Sequence, residues 1–155
     1  MSLRPGPYLA RFIGEGDPGF IGGMYATDKG PGRPIGLDPD APQFRGQQEW
    51  LFIPSNEGPD VYIIKSKNDE YWSYRSEPPA PEESVILGDL RPFRVQHSEG
   101  VQGEHIFTIA PTRQPIGATF YVGAGQGRRE LILVPIPVIP GAPPAPLWEL
   151  KPLEE

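Results

Sequence analysis

The residue types that most often carry catalysis are few in this chain, and their spacing matches no common site. The two histidines, His97 and His105, lie in strand-like segments without the HxxxH or HExxH spacing of a zinc site. The absence of cysteine excludes thiolate catalysis and cysteine metal ligands. We therefore expect no metal and no cofactor, and we interpret both histidines as surface or hydrogen-bonded strand residues.

Serine and carboxylate chemistry have equally little support. Ser55, Ser66 and Ser98 lie at ordinary strand ends, and no GxSxG turn occurs. The acidic pair Glu82–Glu83 falls in a Pro-rich loop, where solvation explains it better than a glycosidase pair. The GAGQG segment at 123–127 lacks the Lys-Ser/Thr of a phosphate loop and indicates a hairpin turn. The sequence therefore predicts a protein that is not an enzyme.

The elements that would position any functional residue are short β-strands arranged in a threefold recurrence. Three similar segments begin at Gly6, Pro59 and Gly103, at an interval of roughly fifty residues, and each carries an aromatic residue in an alternating strand. A strand containing tryptophan follows the first and third segments, around Trp50 and Trp148. A repeat of this length with four short strands is typical of a β-trefoil, a rigid core that displays variable loops.

Twelve candidate strands can be assigned, rich in β-branched and aromatic residues and separated by Gly and Pro. With 22 prolines and 19 glycines in 155 residues, few stretches could hold three helical turns. We therefore predict an all-β fold, a β-trefoil with pseudo-threefold symmetry, in one domain spanning 1–155 with repeats of about 1–57, 58–101 and 102–155. A β-sandwich is the alternative architecture, and the threefold spacing argues against it.

Composition also restricts partners and compartment. The formal net charge of −6 comes from 20 acidic and 14 basic residues without a basic stripe, so we expect no nucleic-acid partner. The longest apolar run, LILVPIPVIP, is broken by three prolines, so we expect no membrane partner. The N-terminal segment has no apolar leader region, which together with the lack of cysteine predicts a cytoplasmic location. No long amphipathic seam is present, and a monomer is expected.

Two loops stand out as candidate binding segments. Gly22–Gly23 has no side chains, so its backbone could pass very close to another surface, although a tight turn before the second strand explains it equally well. The segment from Asp38 to Arg45 contains two prolines, which lower the entropy lost on docking. Its Phe44 could be an exposed anchor or a lid on the core, and the lid is the favoured interpretation.

Several of these segments together resemble a known family. MSLRPGPYLARF, GGMYATDKG, PIGLDP and QQEW in the first fifty or so residues, with VPIPVIP and a Trp strand near the C-terminus, resemble the mycocypins, the clitocypin and macrocypin inhibitors of mushrooms. The resemblance implies a β-trefoil without disulfides that reversibly and competitively inhibits papain-like cysteine proteases. It further implies that two loops wedge into the protease cleft by shape, without chemistry of their own.

The resemblance also assigns residues to these loops. The first loop would use Phe20, Ile21, Gly22, Gly23 and Met24, and the loop between the third and fourth strands would use Pro39, Asp40, Ala41, Pro42 and Gln43. A second inhibitory loop would use Lys67, Asn68 and Asp69, because in clitocypin-like members an Asn between the fifth and sixth strands occupies the specificity pocket of legumain. Asn68 is also a good turn former, and Lys67 beside it could instead suit trypsin.

Two further functions stay open from sequence alone. A trypsin-like serine protease inhibitor would use an exposed basic loop residue: Lys29, Arg33, Lys67 or Arg113. A carbohydrate-binding trefoil is suggested by Gln48-Glu49-Trp50, which matches the QxW of ricin-type lectins. That triplet occurs once only, so we interpret Gln48 and Trp50 as core structure.

Overall fold

The chain forms twelve β-strands and one short helix within the residues that the computed structural model describes, which are 3–13, 24–76, 78–98, 105–114, 116–124 and 129–153. The helix is a 3₁₀ helix over Pro42–Gln47. The strands are β1 (Gly6–Ile13), β2 (Met24–Thr27), β3 (Gly36–Pro39), β4 (Trp50–Pro54), β5 (Val61–Lys65), β6 (Tyr71–Ser73), β7 (Ile86–Gly88), β8 (Phe93–His97), β9 (Ile106–Pro111), β10 (Ala118–Ala124), β11 (Leu131–Pro137) and β12 (Leu147–Pro152).

Six strands close into a barrel. β1 pairs with both β12 and β4, β4 pairs with β5, β5 with β8, β8 with β9, and β9 returns to β12, all antiparallel. Every barrel strand therefore has a partner on both sides, so the barrel leaves no open edge for another chain to pair with.

The other six strands form three hairpins, β2–β3, β6–β7 and β10–β11. The hairpins are joined in a ring by backbone hydrogen bonds. The Ile35 N–H donates to the Val85 carbonyl (2.9 Å), the Val85 N–H to the Leu131 carbonyl (3.0 Å), and the Leu131 N–H to the Ile35 carbonyl (2.8 Å). All three side chains are buried. The ring ties the three hairpins to one another.

The core is aromatic at its centre. Trp50, Trp72 and Trp148 are fully buried, with ring centroids 5.4 Å apart for Trp50–Trp72 and 6.2 Å apart for Trp72–Trp148, in edge-to-face geometry. These rings gather side chains from both the barrel and the hairpins into one cluster. The loops that connect the strands are therefore mounted on a rigid base.

The predicted all-β class and the twelve strands are confirmed. The 3₁₀ helix differs from the prediction of an irregular loop there, because Pro42 fixes the backbone dihedral that a helix needs at its first position. The interpretation of Phe44 as a lid is wrong: Phe44 is half-buried and lies outside the core cluster. Among the described residues, no helix is long and apolar enough to span a membrane.

Candidate functional site

One flank of each loop predicted to enter a protease cleft lies at the same end of the β2–β3 hairpin. Met24, where the first loop ends, pairs directly with Pro39, where the second begins. The remaining first-loop residues of the prediction, Phe20, Ile21, Gly22 and Gly23, lie outside the described residues. The pairing of Met24 with Pro39 brings these two flanks together, and the assignment of the loops to a protease cleft stays a prediction.

Gln48 holds the base of the second loop. Its side chain is fully buried, and its amide nitrogen donates to the carbonyls of Asp38 (3.3 Å) and Pro39 (3.1 Å) and to the Thr27 hydroxyl (3.2 Å). The Asp28 N–H closes the other end of the segment by donating to the Gln47 carbonyl at 2.8 Å. Buried hydrogen bonds of this kind fix a loop because breaking them leaves polar groups without partners. The QxW triplet is therefore structural, as interpreted.

Between these anchors, the 3₁₀ helix presents an exposed surface. Asp40, Pro42 and Gln43 are exposed and Ala41 is half-buried, and no residue of the helix itself is buried. The Phe44 N–H donates to the Ala41 carbonyl at 3.0 Å, which starts the helix directly after the extended residue Ala41. The predicted contact residues thus project from a backbone whose ends are fixed.

Ion pairs brace this second loop from outside. The Lys29 ammonium lies 2.6 Å from the Asp38 carboxylate and 5.3 Å from the centre of the Phe44 ring. Arg45 and Asp40 form a more exposed pair at 3.6 Å. Exposed pairs contribute little stability, whereas Asp38 is largely sheltered, so the Lys29 contact is the stronger brace.

The β5–β6 connection is a tight turn built on a buried serine. The Ser66 hydroxyl accepts the backbone N–H groups of Asn68 (3.1 Å) and Glu70 (3.2 Å), and its own N–H donates to the Glu70 carbonyl at 2.7 Å. Asp69 takes the left-handed conformation, with φ of 63°, which Asp tolerates better than most residues. Lys67, Asn68 and Asp69 are all exposed at the turn.

The two basic residues near this turn are both engaged in ion pairs. The Lys67 ammonium lies 2.9 Å from the carboxylate of Glu49, and Lys65 lies 2.8 Å from Asp69. The pair with Asp69 raises the pKa of Lys65, chiefly through its hydrogen bond. Because Glu49 follows Gln48 directly, the turn at Asn68 is joined to the anchor of the second loop.

The four basic residues considered for a serine protease inhibitor have different environments. Lys29 and Lys67 are ion-paired, as described above. Arg33 is exposed, but its N–H donates to the Gly30 carbonyl (3.2 Å) and its carbonyl accepts the Leu87 N–H (3.1 Å). Arg113 is exposed in the β9–β10 connection.

Within the described residues, no group of three His, Asp or Glu side chains is placed to hold a metal ion. His97 is half-buried against the ring of Phe107, with centroids 5.5 Å apart, and His105 is exposed. The arrangement instead offers exposed loop residues on connections that are anchored by hydrogen bonds and ion pairs.

Comparison with known proteins shows the family of this chain. The family model described as peptidase inhibitor clitocypin matches residues 8–150. The chain belongs to the clitocypin family of peptidase inhibitors. Clitocypin-2 from Clitocybe nebularis is 31% identical over 153 residues, covering 95% of each chain, and clitocypin from the same organism is 30% identical over 149 residues, covering 92% of this chain and 95% of the relative. The family is one of inhibitors and not of enzymes, which confirms that prediction along with the resemblance.

Two solved structures share the fold of this clitocypin family member at low sequence identity. A proteinase inhibitor from Coprinopsis cinerea superposes with a TM-score of 0.63 and 14% identity, over 97% of this chain and 99% of that one. The designed threefold symmetric protein ThreeFoil gives 0.62 and 11%, over 95% and 99%. Both likenesses concern the fold alone and agree with a β-trefoil-like architecture.

Sequence reasoning missed three residues that fix the loops of this clitocypin relative. Gln48 was assigned only to the core, and Glu49 was given no role of its own. Ser66 was assigned only to a strand end, although a serine two residues before Asn68 is a local turn signal. Nothing local marks Gln48 or Glu49, because their partners Thr27 and Lys67 lie on other elements, far away in the sequence.

Proposed function

We propose that this protein is a reversible, competitive inhibitor of papain-like cysteine proteases that blocks the active-site cleft with two loops, residues 20–24 and 39–43. The observation that carries the proposal is the anchoring of the second loop by Gln48 beside the Met24–Pro39 pair. Membership of the clitocypin family of peptidase inhibitors supports a protease as the partner.

The proposed mechanism is steric occlusion. A loop whose ends are held by buried hydrogen bonds loses little conformational entropy on binding, so more of the contact energy appears as affinity. A rigid interface of standard size can reach nanomolar dissociation constants, equivalent to about −12 kcal/mol. Residues Asp40, Pro42 and Gln43 are exposed and available for such contacts.

The same proposal includes the architecture that carries these loops. We infer that the barrel and its three joined hairpins form a single β-trefoil domain with pseudo-threefold symmetry and repeats near 1–57, 58–101 and 102–155. The ring of hydrogen bonds through Ile35, Val85 and Leu131 supports this inference, since one residue comes from each repeat. A monomer is proposed as the active unit.

Bulky substitutions in both loops test the occlusion. Gly23→Trp and Gln43→Trp each place a large ring where the loop should enter the cleft, and we expect each to raise the papain inhibition constant by at least about tenfold, as for a disturbed hot spot. Gln96→Trp is the matched control, since Gln96 is an exposed glutamine on the barrel strand β8. An unchanged inhibition constant for both loop variants, with wild-type circular dichroism, would contradict the proposal.

A second activity is proposed for the turn at Asn68, directed at the asparaginyl endopeptidase legumain. The observation that favours it is the ion pair between Lys67 and Glu49, which holds Lys67 back toward the barrel while Asn68 stays exposed at the turn. The Ser66 hydroxyl keeps the Asn68 N–H in place, so the side chain is offered from a fixed backbone.

Alanine substitutions distinguish the two side chains of this turn. We expect Asn68→Ala to raise the legumain inhibition constant by at least about 30-fold, the loss of one hot-spot residue, while Lys67→Ala leaves it within about threefold. Papain inhibition should be unaffected in both variants. If Lys67→Ala weakened legumain inhibition as much as Asn68→Ala, the assignment of Asn68 would be wrong.

A further inference from the structure

The outer face of the β6–β7 hairpin carries a cleft that the proposed inhibitory loops do not use. Its volume is about 370 Å³, within the range of sites that hold small molecules. The lining comes from β6 and its flanks, from β7 and the β7–β8 connection, and from Gly32 in the β2–β3 turn. The lining residues that bear on recognition are Glu70, Ser73, Arg75, Gly88, Asp89 and Arg91.

Ser73 places a buried hydroxyl in this cleft. Its neighbour Trp72 belongs to the core cluster, so Ser73 lies on the opposite, outer face of β6. Ser73 is only 3% exposed, and its hydroxyl forms no hydrogen bond with any residue that the structure describes. A Cβ at Gly88 would lie 3.9 Å from the Ser73 oxygen, so the missing side chain of Gly88 leaves room beside this hydroxyl. A molecule that bonds to a buried hydroxyl removes the cost of leaving it unpaired.

Two carboxylates on the cleft also have unused hydrogen-bonding capacity. Glu70, half-buried just before β6, and Asp89, exposed just after β7, form no ion pair or hydrogen bond through their carboxylates within the described part of the chain. An ionised carboxylate only accepts hydrogen bonds. A ligand that satisfies both groups therefore has to supply hydrogen-bond donors.

Two arginines place guanidinium groups at fixed positions in the same cleft. The Arg75 guanidinium donates to the Gly32 carbonyl at 3.2 Å, and the Arg75 backbone N–H donates to the Glu83 carboxylate at 2.8 Å. The Arg91 guanidinium lies 4.5 Å from the centre of the Tyr74 ring. A guanidinium has five N–H donors in one plane, so the bond to Gly32 leaves Arg75 able to donate to a ligand as well.

The formal charges of the cleft cancel. Glu70 and Asp89 carry two negative charges, and the two lining arginines carry two positive charges. Neither an anion nor a cation therefore gains a net Coulomb attraction from the lining. A neutral molecule with several groups that both donate and accept hydrogen bonds fits this arrangement best, and hydroxyl groups have that property.

We propose that this cleft binds a neutral saccharide. Sugar hydroxyls would donate to the carboxylates of Glu70 and Asp89, and sugar oxygens would accept from Arg75. Ser73 would exchange a hydrogen bond with a further hydroxyl. Ile86 gives the cleft an apolar lining against which the C–H groups of a sugar ring can pack. This site is distinct from the QxW triplet, and it goes beyond the proposed function, which uses other loops and a protein partner.

A printed array of neutral and charged oligosaccharides, probed with the fluorescently labelled whole protein, tests the class of ligand. We expect binding to at least one neutral glycan. Its dissociation constant, measured by isothermal titration calorimetry, should change by less than about twofold between about 50 and about 500 mM NaCl, because no net charge is screened. An array without binding, binding to charged glycans alone, or a strong dependence on salt would overturn the proposal.

Variants of the lining test the location of the site. We expect Glu70→Ala to raise the glycan dissociation constant by at least about tenfold, the loss of a hydrogen bond to a charged group. Glu57→Ala, at an exposed glutamate in the β4–β5 turn, is the matched control and should bind as the wild type does. Gly88→Leu should abolish binding, since its side chain would fill the cleft while its Cβ makes only ordinary contacts, the nearest at 3.7 Å.

Circular dichroism should be the same in all of these proteins. Glycan binding that survives in both Glu70→Ala and Gly88→Leu, or that falls as much in Glu57→Ala as in Glu70→Ala, would show that the glycan does not occupy this cleft. Neither measurement involves a protease, so failure here leaves the proposed function untouched.

Discussion

Three tryptophans at the centre of the core differ in how their indole nitrogens are satisfied. The Trp50 indole N–H donates to the Ala26 carbonyl at 3.0 Å, and the Trp148 N–H donates to the Val122 carbonyl at 2.8 Å. In both cases the tryptophan lies on the last strand of its repeat and the acceptor lies on the second strand. Trp72 lies on a second strand instead, and its buried nitrogen has no acceptor among the described residues. A buried N–H without a partner carries the full cost of desolvation.

Replacement by phenylalanine distinguishes a tryptophan whose indole N–H is hydrogen-bonded from one whose indole N–H has no acceptor. We expect Trp148→Phe to destabilise the protein by about 1–3 kcal/mol more than Trp72→Phe, because only the former leaves a buried carbonyl without its donor. Urea denaturation followed by circular dichroism gives both free energies of unfolding. Equal losses for the two variants would show that ring volume, and not hydrogen bonding, dominates at these sites.

Among the connecting elements, the β6–β7 loop shows how a Pro-rich segment can be ordered by one carboxylate. Glu83 accepts the backbone N–H groups of Arg75 (2.8 Å), Ser76 (2.7 Å) and Ala80 (3.0 Å). Burial alone would raise the pKa of Glu83, but these hydrogen bonds outweigh burial and leave the pKa below its usual value. The interpretation of the Glu82–Glu83 pair as solvated is therefore wrong for Glu83.

This loop should make stability depend on pH. Because the pKa of Glu83 is lower in the folded state, its stabilisation is complete above the pKa of the unfolded state and is lost as the pH falls through the folded pKa. We expect Glu83→Gln to lower the free energy of unfolding by about 1–2 kcal/mol at pH 7 and by much less near pH 3. Urea denaturation at both pH values measures the difference.

Glu82→Gln is the control for this effect, since Glu82 is the exposed neighbour in the same loop. Its free energy of unfolding should follow that of the wild type at both pH values. A Glu83→Gln deficit that stayed constant from pH 7 to pH 3 would show that ionisation of Glu83 does not stabilise the loop.

At the scale of the whole molecule, the strands could be predicted from the sequence, whereas most hydrogen bonds and ion pairs that hold the loops could not. The alternation around Tyr62 or Phe120 and the many Gly and Pro residues specify short strands locally, and all twelve appear. The turn at Asn68 could also be located from the sequence, because Asn is a good turn former, although the role of its anchor Ser66 was missed. The candidate sites are thus partly local in origin.

The sequence by itself determined the all-β class, the strand positions, the family and the location of the exposed loops, since these follow from local residue patterns. Only the tertiary structure decided how the loops are held and which carboxylates pair with Lys29 and Lys67. The Gln48 amide donates to the Thr27 hydroxyl, 21 residues away in the chain, and Lys67 in the β5–β6 turn pairs with Glu49 just before β4. Contacts of that kind depend on how the barrel closes, a property of the whole chain that no local window contains.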